Sequence, residues 1–328
     1  MMKLGPGVRA GSTPLEAPRD LLAWWPAVSR HPFPFLLDGC GVGRYSLLGS
    51  NPYAVLLAKG DRLSLWRDNR EQTWRGNPFD ALENLLAERP AYADGTAPFP
   101  GGAVGAFGYD LGQHLERLPR RAVDDLAFPD LVLGFYDRVT VVDGQERRAW
   151  VVELSDRDEA GRAMDARTYA EAFAPPAPPG RGATFTRARY LEAIRRAKDY
   201  IVAGDVYQVN LSQRFHARVE RPPADVFRAL RAASPAPYAA LLEFGPRALV
   251  SVSPEQFLSL EGRRIVTRPI KGTRRRPGDD DEDERLRQEL HASPKDDAEL
   301  AMIVDLERND LGRVCEAGSV RVTAPKVL

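Results

Sequence analysis

The stretch VYQVNLSQRFHARV, residues 206–219, alternates apolar and polar side chains. Tyr207, Val209, Leu211, Phe215, Ala217 and Val219 share one face, and Gln208, Asn210, Ser212, Arg214 and His216 share the other. A period of two predicts a strand with one polar side. Immediately upstream the period changes. Thr186 can cap a helix, Leu191, Ile194, Ala197 and Ile201 form an apolar stripe, and Gly204 suits a left-handed C-terminal position. A helix is predicted from there to about residue 203.

Before that helix, APPAPPGRG (174–182) breaks both helix and strand and reads as a surface linker over 174–183. It divides an N-terminal region, 1–173, from a second region, 184–328. In the first region, PFLL (34–37) and YSLLGSNPYAVLLAKGDRLSLW (45–66) read as short strands, with a hairpin at Gly60-Asp61. FDALENLLAE (79–88) fits an amphipathic helix. FPGGAVGAFGYDL (99–111) lacks the G-x-G-x-x-G spacing of a dinucleotide loop, so its glycines read as sites of close backbone packing or positive φ. Residues 131–153 read as two strands around Asp143-Gly144. In the second region, strands are predicted at 247–253 and 263–270. Ser293 and Pro294 start a helix with Asp296 and Asp297 in its first turn. PGDDDEDER (277–285) lacks the spacing of a calcium loop and reads as a solvated, mobile loop.

Composition narrows the class. The 328 residues suffice for two ordinary domains or one large one. Hydrophobic residues make up 43% and charged residues 28%, as in soluble globular proteins. Lys plus Arg and Asp plus Glu both number 46, so there is no basic excess to suggest a nucleic-acid partner. Cys40 and Cys315 give neither a disulfide framework nor metal spacing, which fits a reducing cytoplasm. No apolar run reaches membrane-spanning length, and the first residues lack a signal-peptide core. The histidines His31, His114, His216 and His291 form no ligand cluster.

Three charged residues stand out by position. Lys271 ends the extended run RRIVTRPIKGT, and Glu255 follows Ser253-Pro254 at a strand end. Glu299 lies on the helix face of Met302, Ile303 and Leu306. Pattern alone leaves each open. By pattern the plain readings come first: Lys271 as a solvated strand-end charge, Glu255 as a turn cap, and Glu299 as a stripe-edge residue reaching water. A carboxylate on an apolar stripe wants a partner, and a bound cation is one candidate.

Several segments, in order, closely resemble the chorismate-utilising enzymes, most specifically their aminodeoxychorismate synthase component I branch. They are RYSLLGSNP (44–52), GGAVGAFGYDL (101–111), GDVYQVNLSQRF (204–215), SPAPYAALLEF (234–244), SVSPEQF (251–257), TRPIKGTRR (267–275) and AELAMIVDLERNDLGRVC (298–315). The resemblance implies an α+β fold with two large β-sheets packed face to face and helices outside. It implies chorismate bound beside a Mg²⁺ ion held by glutamates, Glu299 among them, with Glu255 as general acid. Gln208 stands where water-adding relatives carry a lysine base, and with Gly272 and Thr273 it is expected to line the substrate site. Anthranilate synthases of the family read P-I-A-G-T where this chain reads P-I-K-G-T. That lysine marks the branch that aminates chorismate at C4.

The chemistry gives the lysine a reason. Amination at C4 keeps configuration, whereas direct displacement inverts it. An amine adding first at C2 divides the reaction into two steps. Lys271 must then be a free amine, favoured by burial or a neighbouring cation, and Glu255 must hold a proton for the departing hydroxyl. No Cys-His glutaminase motif is present, so a glutamine amidotransferase subunit is the implied ammonia source, feeding folate synthesis. The resemblance also implies a possible tryptophan pocket at Asp38, Tyr45, Ser46, Pro237 and Tyr238, although Asp38-Gly39 departs from the family pattern. Family members continue past the point where this chain ends, through a second metal-binding glutamate. On that reading the 328-residue chain alone is inactive or weakly active and exposes apolar surface. The rival readings are anthranilate synthase component I and a non-catalytic, tryptophan-binding fragment.

Overall fold

Strand β4 (Ala54–Lys59) is buried along nearly its whole length, and so is β8 (Leu131–Tyr136). Their sequences, AVLLAK and LVLGFY, are continuous apolar runs because each strand is covered on both faces. The computed structural model, which describes residues 9–88, 99, 101–119, 121–155 and 181–324, shows what covers them.

β4 is the middle strand of a five-stranded antiparallel sheet. The order is β6 (Arg70–Arg75), β5 (Arg62–Arg67), β4, β8 and β7 (Gly102–Phe107). The predicted hairpin is present, with Lys59 opposite Arg62 and Gly60 at φ +55°. The glycine-rich 101–107 stretch behaves as its composition suggests. Gly101 and Gly102 both adopt φ +135°, and a Cβ on Gly105 would stand 1.9 Å from the Val132 carbonyl oxygen.

A seven-stranded sheet lies against it. Its order is β1 (Arg9–Leu15), β10 (Arg148–Ser155), β9 (Arg138–Asp143), β3 (Tyr45–Gly49), β2 (Phe35–Asp38), β13 (Tyr238–Phe244) and β14 (Arg247–Ser253). Phe35, Val141, Val152, Leu242 and Phe244 from this sheet pack with Val55, Leu57, Trp66 and Val132 from the other. The Tyr136 hydroxyl crosses the layer and donates to the Phe33 carbonyl at 2.7 Å. Helix α1 (Pro78–Glu88) covers the far face of the five-stranded sheet with Ala81 and Leu85. The short helices Leu21–Ala23 and Trp25–Val28 cover the far face of the seven-stranded sheet, together with Phe227 from a later helix. The α+β architecture with two sheets face to face is therefore present.

Residues 131–153 make three strands where two were expected. The chain leaves one sheet at Tyr136 and enters the other at Arg138, so β8 and β9 lie in different layers. β13 pairs with β2, Ala239 opposite Asp38, so sequence from both sides of the 174–183 linker builds one sheet. Residues 174–180 of that linker lie outside the described residues.

Helix α2 (Arg187–Ala203) forms as predicted, capped by Thr186 and closed by Gly204 at φ +81°. Two expectations fail. The alternating stretch 206–219 is almost unpaired. Only Gly182–Ala183 (β11) pairs with Phe215–His216 (β12). Tyr207 is 94% exposed and Phe215 73%, so its apolar face has no sheet to cover it among the described residues. The acidic 277–285 stretch is not a loop past Asp279. α3 (Pro223–Ala233) carries Phe227, and the next helix, α4 (Asp280–His291), starts within the acidic run. Asp279 caps α4 by accepting from the Glu282 amide at 2.9 Å, and the carboxylates occupy the first turn, where the helix dipole favours them.

Asp143 sets the β9–β10 turn. Its Oδ1 accepts from the Gln145 and Glu146 amides at 2.9 and 3.0 Å, and Oδ2 meets the Arg44 Nη2 at 2.8 Å. The Arg44 guanidinium, then these amides, hold its carboxyl below the usual carboxylate value. A lowered folded-state value adds stability that is complete above the ordinary carboxylate range and lost as pH falls through the folded value. Urea unfolding should therefore show stability falling below about pH 4, less steeply in Asp143→Asn. Equal pH slopes in the two proteins would exclude this role.

Candidate active site

The site begins where two strand ends meet. After β14, Ser253 turns the chain, its hydroxyl accepting from the Glu255 amide at 3.2 Å. Strand β15 (Gln256–Glu261) then pairs with β16 (Arg264–Arg268) as a separate hairpin. Beyond β16 the chain returns to Glu255, whose Oε1 accepts from the Ile270 amide at 3.1 Å. Glu255 thus grips the backbone one residue before Lys271. The Lys271 ammonium is half-buried and donates to the Ile270 carbonyl at 2.9 Å.

The third side is helix α5 (Pro294–Gly312). Ser293 caps it as predicted, accepting from the Asp296 amide at 3.4 Å, and Pro294 opens it. Glu299 is half-buried on this helix and accepts from the Gln208 amide nitrogen at 3.2 Å. Gln208 therefore reaches the site from the uncovered 206–214 segment. Gly272, at φ +76°, lies against the helix start, and a Cβ there would stand 2.8 Å from Leu290 Cδ1 and 3.0 Å from Asp296 Cγ. The positive φ favours glycine, and a Cβ would require the Leu290 and Asp296 side chains to shift. The exposed Thr273 gives its carbonyl to Arg274 at 3.0 Å.

Lys271 and Glu255 are thus joined through Ile270, Gln208 and Glu299 directly, and the two pairs through the Gly272–Asp296 contact. Sequence reasoning did not single out Arg274, which bonds Glu289 at 2.8 Å and Asp296 at 3.2 Å. The Ser293 hydroxyl first, then the Arg274 guanidinium, hold the Asp296 carboxyl below its usual range. Nor did it find the Thr267 hydroxyl donating to Glu307 at 3.2 Å. An arginine in a basic run and a glutamate in a charged helix carry no periodic signal that separates them from surface charge. The surroundings are open. α2 and α5 have no fully buried residue, and Phe257 on the β15–β16 hairpin is 82% exposed.

Glu299 offers one half-buried carboxylate of the kind a hard divalent cation takes. Among the described residues no group of three His, Cys, Asp or Glu side chains converges.

The other predicted cluster lies at the same end of the seven-stranded sheet, where Tyr238 stands opposite Ser253. Asp38, 5% exposed, accepts from the Cys40 amide at 2.8 Å, the Ser46 hydroxyl at 3.3 Å and Arg231 Nη1 at 2.6 Å. Arg231 also bonds Asp20 at 2.6 Å. A Cβ on Gly43 would come within 3.0 Å of the Pro237 carbonyl, and the Arg44 guanidinium lies 4.8 Å from the Tyr45 ring centre.

The sequence model of the chorismate binding enzyme family matches residues 34–327. The chain belongs to that family. Among its relatives, aminodeoxychorismate synthase component 1 of Klebsiella aerogenes is 38% identical over 281 residues, 85% of this chain and 62% of that protein. Anthranilate synthase component 1 of Thermus thermophilus is 39% identical over 324 residues, 95% of this chain and 69% of that one. Among solved structures, anthranilate synthase component I from Streptococcus pneumoniae superposes with a TM-score of 0.70 at 28% identity, covering 86% of this chain and 64% of that one. The chain thus spans about 62% of the length of the Klebsiella relative. No described helix is long and apolar enough to cross a membrane.

Proposed function

We propose that this chain is component I of aminodeoxychorismate synthase, converting chorismate and ammonia to 4-amino-4-deoxychorismate. The observation that carries the reading is the amine at position 271, on a loop whose preceding amide is held by Glu255. Overall identity does not separate the branches, because relatives named for either reaction match about equally. Residue 271 does, since alanine there leaves no nucleophile for C2.

In this reading the Lys271 amine adds to C2 as both conjugated ring double bonds shift and the C4 hydroxyl leaves. Glu255 gives that oxygen its proton, and the product is water. Ammonia then adds at C4, both double bonds shift back, and the lysine departs from C2 as a free amine, so configuration at C4 is retained. Gln208 and the Gly272-Thr273 backbone border the ring. Glu299 would hold Mg²⁺, which when bound neutralises a substrate carboxylate. Ammonia comes from a glutamine amidotransferase subunit in the cytoplasm, and the product feeds p-aminobenzoate and folate.

Anthranilate synthesis is the second reading, favoured by the Thermus similarity. A tryptophan-binding role is less well supported, because Arg231, Cys40 and Ser46 already engage the Asp38 carboxylate. The test supplies the protein, in the longest form its gene encodes, with chorismate, Mg²⁺ and ammonia, and separates products by chromatography. The expected product is 4-amino-4-deoxychorismate. Anthranilate in its place would refute the proposal.

A further inference from the structure

We propose that Arg274 is the positioning residue for Lys271, locking the 270–274 loop onto the start of the helix that carries Glu299. The inference rests on the reading of Lys271 as nucleophile.

The arginine run divides sharply by exposure. The Arg274 side chain is 26% exposed, whereas those of Arg275 and Arg276 are 74% and 87% exposed. Arg275 and Arg276 pair with Glu282 and Asp283 at the outer end of α4. Arg274 instead spans two elements. Its Nε donates to Glu289 near the end of α4, and its Nη2 donates to Asp296 in the first turn of α5. A guanidinium fork bound to two carboxylates fixes orientation as well as distance, which a lysine ammonium does not.

The backbone between Arg274 and Lys271 has one seat. Gly272 takes a left-handed φ and lies against the Asp296 and Leu290 side chains. Asp296 is three residues before Glu299, about 4.5 Å along the same helix face. Holding Asp296 therefore sets the register between the lysine loop and the Glu299 carboxylate. At its other end the loop is held at Ile270 by Glu255. Lys271 lies between these anchors. Releasing Arg274 frees the loop at one end, next to the residue whose amine must meet C2.

A displacement near 1 Å from such a change can cost on the order of 100-fold in rate. Arg274→Ala is therefore expected to lower kcat for amination by about 30-fold or more, with the KM for chorismate within about two-fold. The circular dichroism spectrum and melting midpoint should stay near those of the parent protein. Independently of turnover, acylation of Lys271 by an amine-directed reagent, followed by mass spectrometry, should change about three-fold or more as the loop leaves its seat. Arg274→Lys should recover only part of kcat. A kcat within three-fold of the parent, with unchanged labelling of Lys271, would overturn the inference. If Arg274→Ala does not fold, Glu289→Gln, which keeps the Asp296 pair, takes its place. An intermediate loss of kcat supports the inference and an unchanged kcat overturns it. Lys271→Ala is the control. Retained amination there would overturn the parent reading and this one together. Loss of amination there, with normal kcat in Arg274→Ala, would overturn this one alone.

Discussion

On the proposed function, Lys271→Ala is expected to leave the protein folded and to remove amination of chorismate, a loss of about four orders of magnitude or more in kcat. The two halves of that expectation have separate reasons. The side chain is half-buried, and its one described bond is to the neighbouring Ile270 carbonyl. Its removal should shift stability by no more than roughly 0.5 kcal/mol. The chemical loss is large because no other amine is placed at the end of the PIKGT loop. Added ammonia does not restore the reaction, since displacement at C4 without a covalent step inverts the centre. Lys271→Arg should fail equally, because a guanidinium stays protonated and cannot attack. Product chromatography with a defined 4-amino-4-deoxychorismate standard reads the result. A near-normal rate in either variant would end the covalent mechanism.

Gly105→Ala is expected to carry the largest effect on stability. Gly105 stands opposite Leu133 in the β7–β8 ladder, and an added Cβ would lie 1.9 Å from the Val132 carbonyl oxygen and 2.9 Å from the Leu133 Cα. These atoms are backbone, so no rotamer change relieves the clash. β7 must move away from β8, which itself is buried along its whole length. Such overpacking costs about 3 kcal/mol, or roughly one molar in the urea midpoint. Gly60→Ala is the contrast, since a Cβ there meets open space and only the positive φ resists it. Its cost should be about 1 kcal/mol. Equal midpoints for Gly105→Ala and the parent protein would show that β7 is not held as tightly as its register implies.

Local signals in the sequence were good guides where the physics is local. Thr186 and Gly204 bracket α2, and Ser293 and Pro294 open α5, because caps satisfy backbone groups within four residues of themselves. The Gly60 turn is similar. Alternation at 206–219 misled, because a period of two describes side-chain geometry and not the presence of a partner strand. The acidic run at 277–285 misled for the opposite reason. Its charge suggested solvation, while Asp279 and the first-turn carboxylates are what a helix N-terminus favours.

The sequence by itself determined the family, the α+β class and the identity of Lys271, Glu255, Glu299 and Gln208 as candidates. Those rest on residue types in a fixed order. Only the tertiary structure decided that β13 completes the N-terminal sheet, that Glu255 holds the amide beside Lys271, and that Gln208 meets Glu299 across 91 residues of chain. It also separated Arg274 from its two exposed neighbours. A charge in a basic run looks the same at every position until folding gives one of them two carboxylates and less exposure to water than its neighbours.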